Sequence, residues 1–122
     1  MINLLFAGND KVFDGILTCL LSIFHRSDVR KPVKAYVLTM NLTRVKPEYT
    51  AISDERIDFL RSVMREYGED NDVEKIDVTD LYESEFAFCP NEDAYCSPYT
   101  LLRLFADKAD IPAEKLLYLD AD

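Results

Sequence analysis

Histidine is nearly missing from this chain of 122 residues: His25 is the only one, and there is no tryptophan. A lone His argues against a His-based acid–base centre within these residues, and no Ser-His-Asp or Cys-His arrangement is present. Glycine is scarce, and neither a G-x-G-x-x-G fingerprint nor a Walker A loop can be found, which removes the usual sequence support for a dinucleotide or P-loop site. The three cysteines are odd in number and fit no zinc spacing. Cys19 lies in an apolar helical pattern and reads as a small core residue, while Cys89 and Cys96 read as reduced thiols. Basic residues are outnumbered, 14 Lys and Arg against 23 Asp and Glu, and the net charge of -9 argues against nucleic acid as a main partner. A pyrophosphate remains open as a ligand, because a metal, helix N-termini and one or two cations suffice to hold it. No segment approaches the roughly 18 apolar residues of a bilayer span. The start, Met1 into Ile2-Asn3-Leu4-Leu5-Phe6, has no basic leader or cleavage site, so the chain reads as cytosolic, without a transmembrane segment.

What is there is an ordinary globular composition, 48% apolar and 30% charged, read as one domain over residues 1–122. Residues 2 to 7 form an apolar run ended by Gly8-Asn9-Asp10. Phe13, Ile16, Leu17, Leu20, Leu21 and Phe24 then repeat at the spacing of one helix face, with Asn9 or Asp10 as N-cap and His25-Arg26 at the far end. Val33 to Thr39 reads as a strand buried on both faces. Ser53-Asp54-Glu55 opens a second helix whose buried stripe is Ile57, Leu60, Val63, Met64 and Tyr67, and Gly68 ends it. Val73 to Val78 is a weaker strand, followed by a loop from about Leu81 to Cys96. Ser97-Pro98 starts a third helix. The last strand, Leu116-Leu117-Tyr118-Leu119, follows Pro112 and reads as buried. The alternation predicts an α/β fold, a mostly parallel sheet with flanking helices.

In such a sheet the strand C-termini share one edge, so Gly8-Asn9-Asp10 and Asp120-Ala121-Asp122 are expected to converge there. Gly8 allows close backbone approach and the following amides suit a polar ligand, though a turn glycine with an N-cap explains the same residues. Asp120 and Asp122 point to one side of an extended segment, and two neighbouring carboxylates call for a cation, which makes them candidate ligands of a divalent metal. Arg103 interrupts the apolar run Leu101-Leu102-Arg103-Leu104-Phe105. It faces either an acidic ligand or partner, or solvent with its stem buried.

Together these segments resemble glycosyltransferase family 8, nucleotide-sugar enzymes of the GT-A fold. The resemblance spans essentially the whole chain: Leu5-Phe6-Ala7-Gly8-Asn9-Asp10, the strands Tyr36-Val37-Leu38-Thr39 and Ile76-Asp77-Val78, and above all Tyr99-Thr100-Leu101-Leu102-Arg103-Leu104 leading to Lys115-Leu116-Leu117-Tyr118-Leu119-Asp120-Ala121-Asp122. It implies a Rossmann-like nucleotide-binding half in which Ala7, Asn9 and the adjoining Asp10 hold base and ribose, most often uridine. Arg103 would reach the sugar and diphosphate. Asp120 and Asp122 would hold Mn2+ or Mg2+ against both phosphates, with Asp120 also touching ribose. The chain departs from the family at Lys11-Val12, where an aromatic ring usually follows sooner; Lys11 is placed to reach a phosphate instead. The implied activity is metal-dependent, retaining transfer from a UDP-sugar to a glycan, lipid or protein acceptor. The family's third metal ligand and acceptor residues follow the Asp-x-Asp strand, so the expectation is a truncated donor half, inactive alone, with an exposed sheet edge through which it dimerises. The alternative is a stand-alone non-enzymatic nucleotide-binding or regulatory module. A phosphotransferase with Asp-x-Asp on its first strand is disfavoured, because here the motif is on the last.

Overall fold

The computed structural model describes residues 2–26, 31–86, 111 and 115–120. In chain order these form β1 (Ile2–Ala7), a 3-10 turn (Asp10–Val12), α1 (Phe13–Arg26), β2 (Val33–Thr39), α2 (Asp54–Tyr67), β3 (Asp72–Asp77), α3 (Thr79–Phe86) and β4 (Leu117–Tyr118). The strands make one parallel sheet in the order β3-β2-β1-β4. Ile2 pairs with Val33 and Lys34 with Asp72 along the two long ladders, while β4 joins β1 through Leu4 opposite Leu117 and Leu5 opposite Tyr118. The α/β architecture read from the sequence is present.

β2 explains why its sequence is almost continuously apolar. Val33, Ala35 and Val37 pack with Leu4 and Phe6 against Ile16 and Leu20 of α1 and Ile57, Leu60 and Met64 of α2. Tyr36 and Leu38 enter a second core on the opposite face, with Leu5, Met40, Leu42, Tyr49, Val78 and Tyr82. A strand with a core on each side leaves no position for polar alternation. Both α1 and α2 cover one face, whereas α3 and the connection after β2 contribute to the other. Cys19 is half-buried at the edge of the first core, where burial raises its thiol pKa and keeps it protonated.

α2 begins and ends as its sequence indicates. Ser53 Oγ accepts from the Arg56 amide, Asp54 and Glu55 occupy the first turn, and Gly68 N–H donates to the Arg65 carbonyl. Tyr67 differs from expectation, for it is exposed rather than part of the buried stripe. It lies at the last turn, where its ring stacks on Phe24 at 4.9 Å and its hydroxyl meets His25 Nε2 at 2.9 Å.

Two further expectations are corrected. Thr79–Phe86 is helical, although the sequence reads as loop from about Leu81. Asp77 Oδ1 accepts from both the amide and the hydroxyl of Thr79, and Val78 and Tyr82 are buried beneath the first turns. Only these short apolar anchors mark the helix, so its acidic residues masked it in the sequence. The last strand is not buried: Leu117 is 56% and Tyr118 38% exposed. Among the described residues β4 pairs with β1 alone and so stands at the edge of the described sheet. The flanking Leu116 and Leu119 are partly buried, each against a different core. The helix expected from Ser97, with Arg103, lies outside the described residues, as do Cys89 and Cys96.

The amino end of the sheet is closed by side chains. Asn71, only 4% exposed, accepts from the Val33 amide at 2.8 Å and donates to the Met64 carbonyl at 2.9 Å. Beside it, Arg61 Nε donates to Asp72 Oδ1 at 2.7 Å and Arg61 Nη2 to the Val73 carbonyl at 2.8 Å, with Lys34 Nζ 3.4 Å from Asp72. Burial opposes the Asp72 charge. The Arg61 bond, the Val73 amide and the charges of Lys34 and Arg61 outweigh it and hold the carboxyl below its ordinary value. No helix among the described residues is long and apolar enough to cross a membrane.

Candidate functional site

With the order β3-β2-β1-β4, the chain leaves β1 towards β2 and returns on β1's other side as β4. The ends of β1 and β4 therefore flank the point where strand order reverses, the place where open α/β sheets bind ligands. Ala7 closes β1, and Gly8 extends its ladder by donating to the Leu38 carbonyl at 3.0 Å. The backbone of Gly8 turns at a φ of +157°, and a Cβ built there would collide with Val12 Cγ2. Glycine is required at this position because Val12 occupies the space of a side chain.

Asn9 is buried and does the work of a cap: its Oδ1 accepts from the Lys11 amide at 3.1 Å, and its carbonyl accepts from Val12 N–H at 3.1 Å. The cap belongs to the 3-10 turn, and α1 starts only at Phe13. Asp10 points away from the strand end. Its Oδ1 accepts from the Ser53 amide at 3.0 Å and lies 3.9 Å from Arg56 Nε. Lys11 is exposed, and its ammonium makes no ion pair with a described residue.

On the other flank, Leu119 N–H donates to the Leu5 carbonyl at 2.9 Å, which carries the β1–β4 ladder one residue past Tyr118. Asp120 comes next and is exposed. Of the expected convergence of Gly8-Asn9-Asp10 with Asp120-Ala121-Asp122, the described residues show adjoining strand ends of β1 and β4, with Asp120 at the latter. Arg103 and Asp122 lie outside the described residues. At the ends of β2 and β3 the polar groups are used internally: Thr39 Oγ1 accepts from Ile52 N–H at 3.0 Å and Thr79 Oγ1 from Asn41 N–H at 2.9 Å.

Among the described residues no group of three His, Cys, Asp or Glu is arranged to hold a metal ion. At this edge the Asp10 and Asp77 carboxylates each serve a neighbouring amide through one oxygen, which leaves Asp120 as the exposed carboxylate beside β1. Its hard oxygen suits Mg2+ or Mn2+ chemically, but one carboxylate is a fraction of the six or so oxygen ligands such ions take. A cavity of about 110 Å³ sits at the opposite, amino end of the sheet, between Phe24, Tyr67, Lys31 and the Gly68–Asn71 turn. Asn71, its one deeply buried polar lining residue, already has its Oδ1 and Nδ2 engaged by backbone.

Arg56 was not singled out in the sequence. The available signal was electrostatic: a cation in the first turn of a helix is unfavourable to the dipole and implies an acidic partner. That partner is Asp10, 46 residues away. Against this geometry, comparisons with protein-family models, curated proteins and solved structures find no match to the chain.

Proposed function

We propose that this chain is the donor-binding part of a glycosyltransferase that takes its sugar from a nucleotide sugar, most simply a UDP-sugar. One arrangement supports the reading: a parallel sheet ordered β3-β2-β1-β4 with the Gly8–Lys11 turn and Asp120 on adjacent strand ends at the reversal point. In this reading the buried Asn9 cap and the end of β1 at Ala7 form the floor for base and ribose. Lys11 supplies a cation for a phosphate, and Arg103 serves the sugar–diphosphate region. Asp120 and Asp122 would hold Mn2+ or Mg2+, and a bound divalent ion neutralises the charge that develops on a departing nucleoside diphosphate. The chain's own contribution is orientation: a turn fixed by Gly8, Asn9 and Asp10 spends no ligand affinity on ordering itself.

The test is calorimetric titration of UDP into the protein with and without Mn2+, repeated with Asp120→Ala. The expected outcome is metal-dependent binding that weakens about tenfold or more, roughly 1.4 kcal/mol, in the variant. Stability should stay within about 0.5 kcal/mol, as for an exposed residue. UDP binding indifferent to both Mn2+ and Asp120 would instead favour a non-enzymatic nucleotide module, and absence of UDP binding would refute the donor reading.

A further inference from the structure

Three pieces of the chain meet at Arg56. From the first turn of α2 its Nη1 donates to the Asp10 backbone carbonyl at 2.8 Å, and its Nε lies 3.9 Å from Asp10 Oδ1. Its guanidinium also lies 5.0 Å over the ring of Phe13, the first residue of α1. Asp10 reciprocates by accepting the Ser53 amide, and Ser53 Oγ in turn caps α2 at Arg56 N–H. The turn after β1 is therefore fastened to the start of α2 through both the backbone and the side chain of one residue.

The fastening has an electrostatic side. The chain carries a net charge of -9, and Asp10, Asp77 and Asp120 all stand at the carboxyl edge. Although the Asp10 carboxylate is turned towards α2, an anionic ligand on the Gly8–Lys11 turn would still feel its nearby charge unless a cation offsets it. Arg56 is the described cation in reach of that carboxylate. We propose that Asp10 and Arg56 are a positioning pair: together they hold the turn, and Arg56 masks the Asp10 charge from an anionic ligand seated on Gly8–Lys11. The identity of that ligand as a nucleoside diphosphate rests on the donor reading above. Asp10 is then a residue that shapes the site from behind, and Lys11 is the cation left facing outward.

The pair is tested with wild type, Arg56→Ala, Asp10→Asn and the double variant, each titrated with UDP at low and high salt. Arg56→Ala is expected to weaken binding about fivefold, because it both loosens the turn and leaves Asp10 unmasked. The double variant should bind better than the product of the two single losses, since the unmasked charge is gone. The Arg56→Ala deficit should also shrink at high salt, as screened repulsion does. Binding by Arg56→Ala equal to wild type, or single losses that simply multiply, would overturn the masking role. If wild type does not bind UDP, the donor reading fails on its own, and amide hydrogen exchange then judges the pair without a ligand. Exchange at Lys11, Val12 and Ser53 should speed up in Arg56→Ala while the β1–β2 ladder keeps its protection; unchanged exchange at those three amides would refute the positioning.

Discussion

The two ends of the sheet are closed in different ways. At the amino end, Asn71, in the turn between α2 and β3, and Arg61 of α2 reach into the backbone of other elements, and the buried Asn71 ties β2 to α2. At the carboxyl end, Asn9 and Asp77 close local turns over themselves, and Asp10 is drawn aside to α2. The first end uses its polar groups to join the fold. The second also joins elements, through Thr39, Thr79 and Asp10, but spends Asn9 and Asp77 on local turns and leaves Lys11 and Asp120 exposed beyond the strands. The contrast separates residues that hold the fold from the exposed residues that the proposed donor site would use.

The largest break in that contrast is expected from Asn71→Leu. It leaves the Val33 N–H and the Met64 carbonyl without their partners, a loss of about 3 kcal/mol in urea unfolding. Gly8→Ala should come next, at about 1–3 kcal/mol, because the new methyl collides with Val12. Adding Val12→Ala should return part of that loss, which would place the strain at the turn and not in the strand. The smallest effect belongs to Asp72→Asn. Its carboxyl is lowered in the folded state, so its stabilisation is complete above the ordinary carboxylate value and is lost as pH falls through the folded one. The substitution should therefore cost no more than about 1 kcal/mol at neutral pH, as for a partly exposed pair, and flatten the acid limb of the stability profile.

Much of the fold was legible because the strands and the first two helices carry their periodicity openly. β2 with its two buried faces, α1 from Phe13 and α2 from its Ser53 cap to Gly68 all stand where the pattern put them. α3 was hidden by brevity and acidity, and the exposure of β4 could not be read from an apolar run, since apolarity does not say how many neighbours a strand has. Within the candidate site, topology alone was enough to bring Gly8–Lys11 and Asp120 to adjoining strand ends. The turning of Asp10 towards α2 was not legible, for its partners Ser53 and Arg56 are more than forty residues distant and leave no local trace. Asn71 was missed for the same reason, being 38 positions from Val33.

The ladder register has a consequence for the order of assembly. Ile2 finds Val33 and Lys34 finds Asp72 by closing comparatively short stretches of chain, whereas Leu4 must wait for Leu117. The longer loop costs on the order of 1 kcal/mol more to close, and among the described residues β4 offsets it with a two-residue rung, the Leu119–Leu5 hydrogen bond and the partial burial of Leu116 and Leu119. The β1-β2-β3 ladder can thus form as an early unit, with β4 docking onto it late and releasing first. A ligand that touched Asp120 would act as a kinetic latch, holding shut the described strand with the shortest ladder.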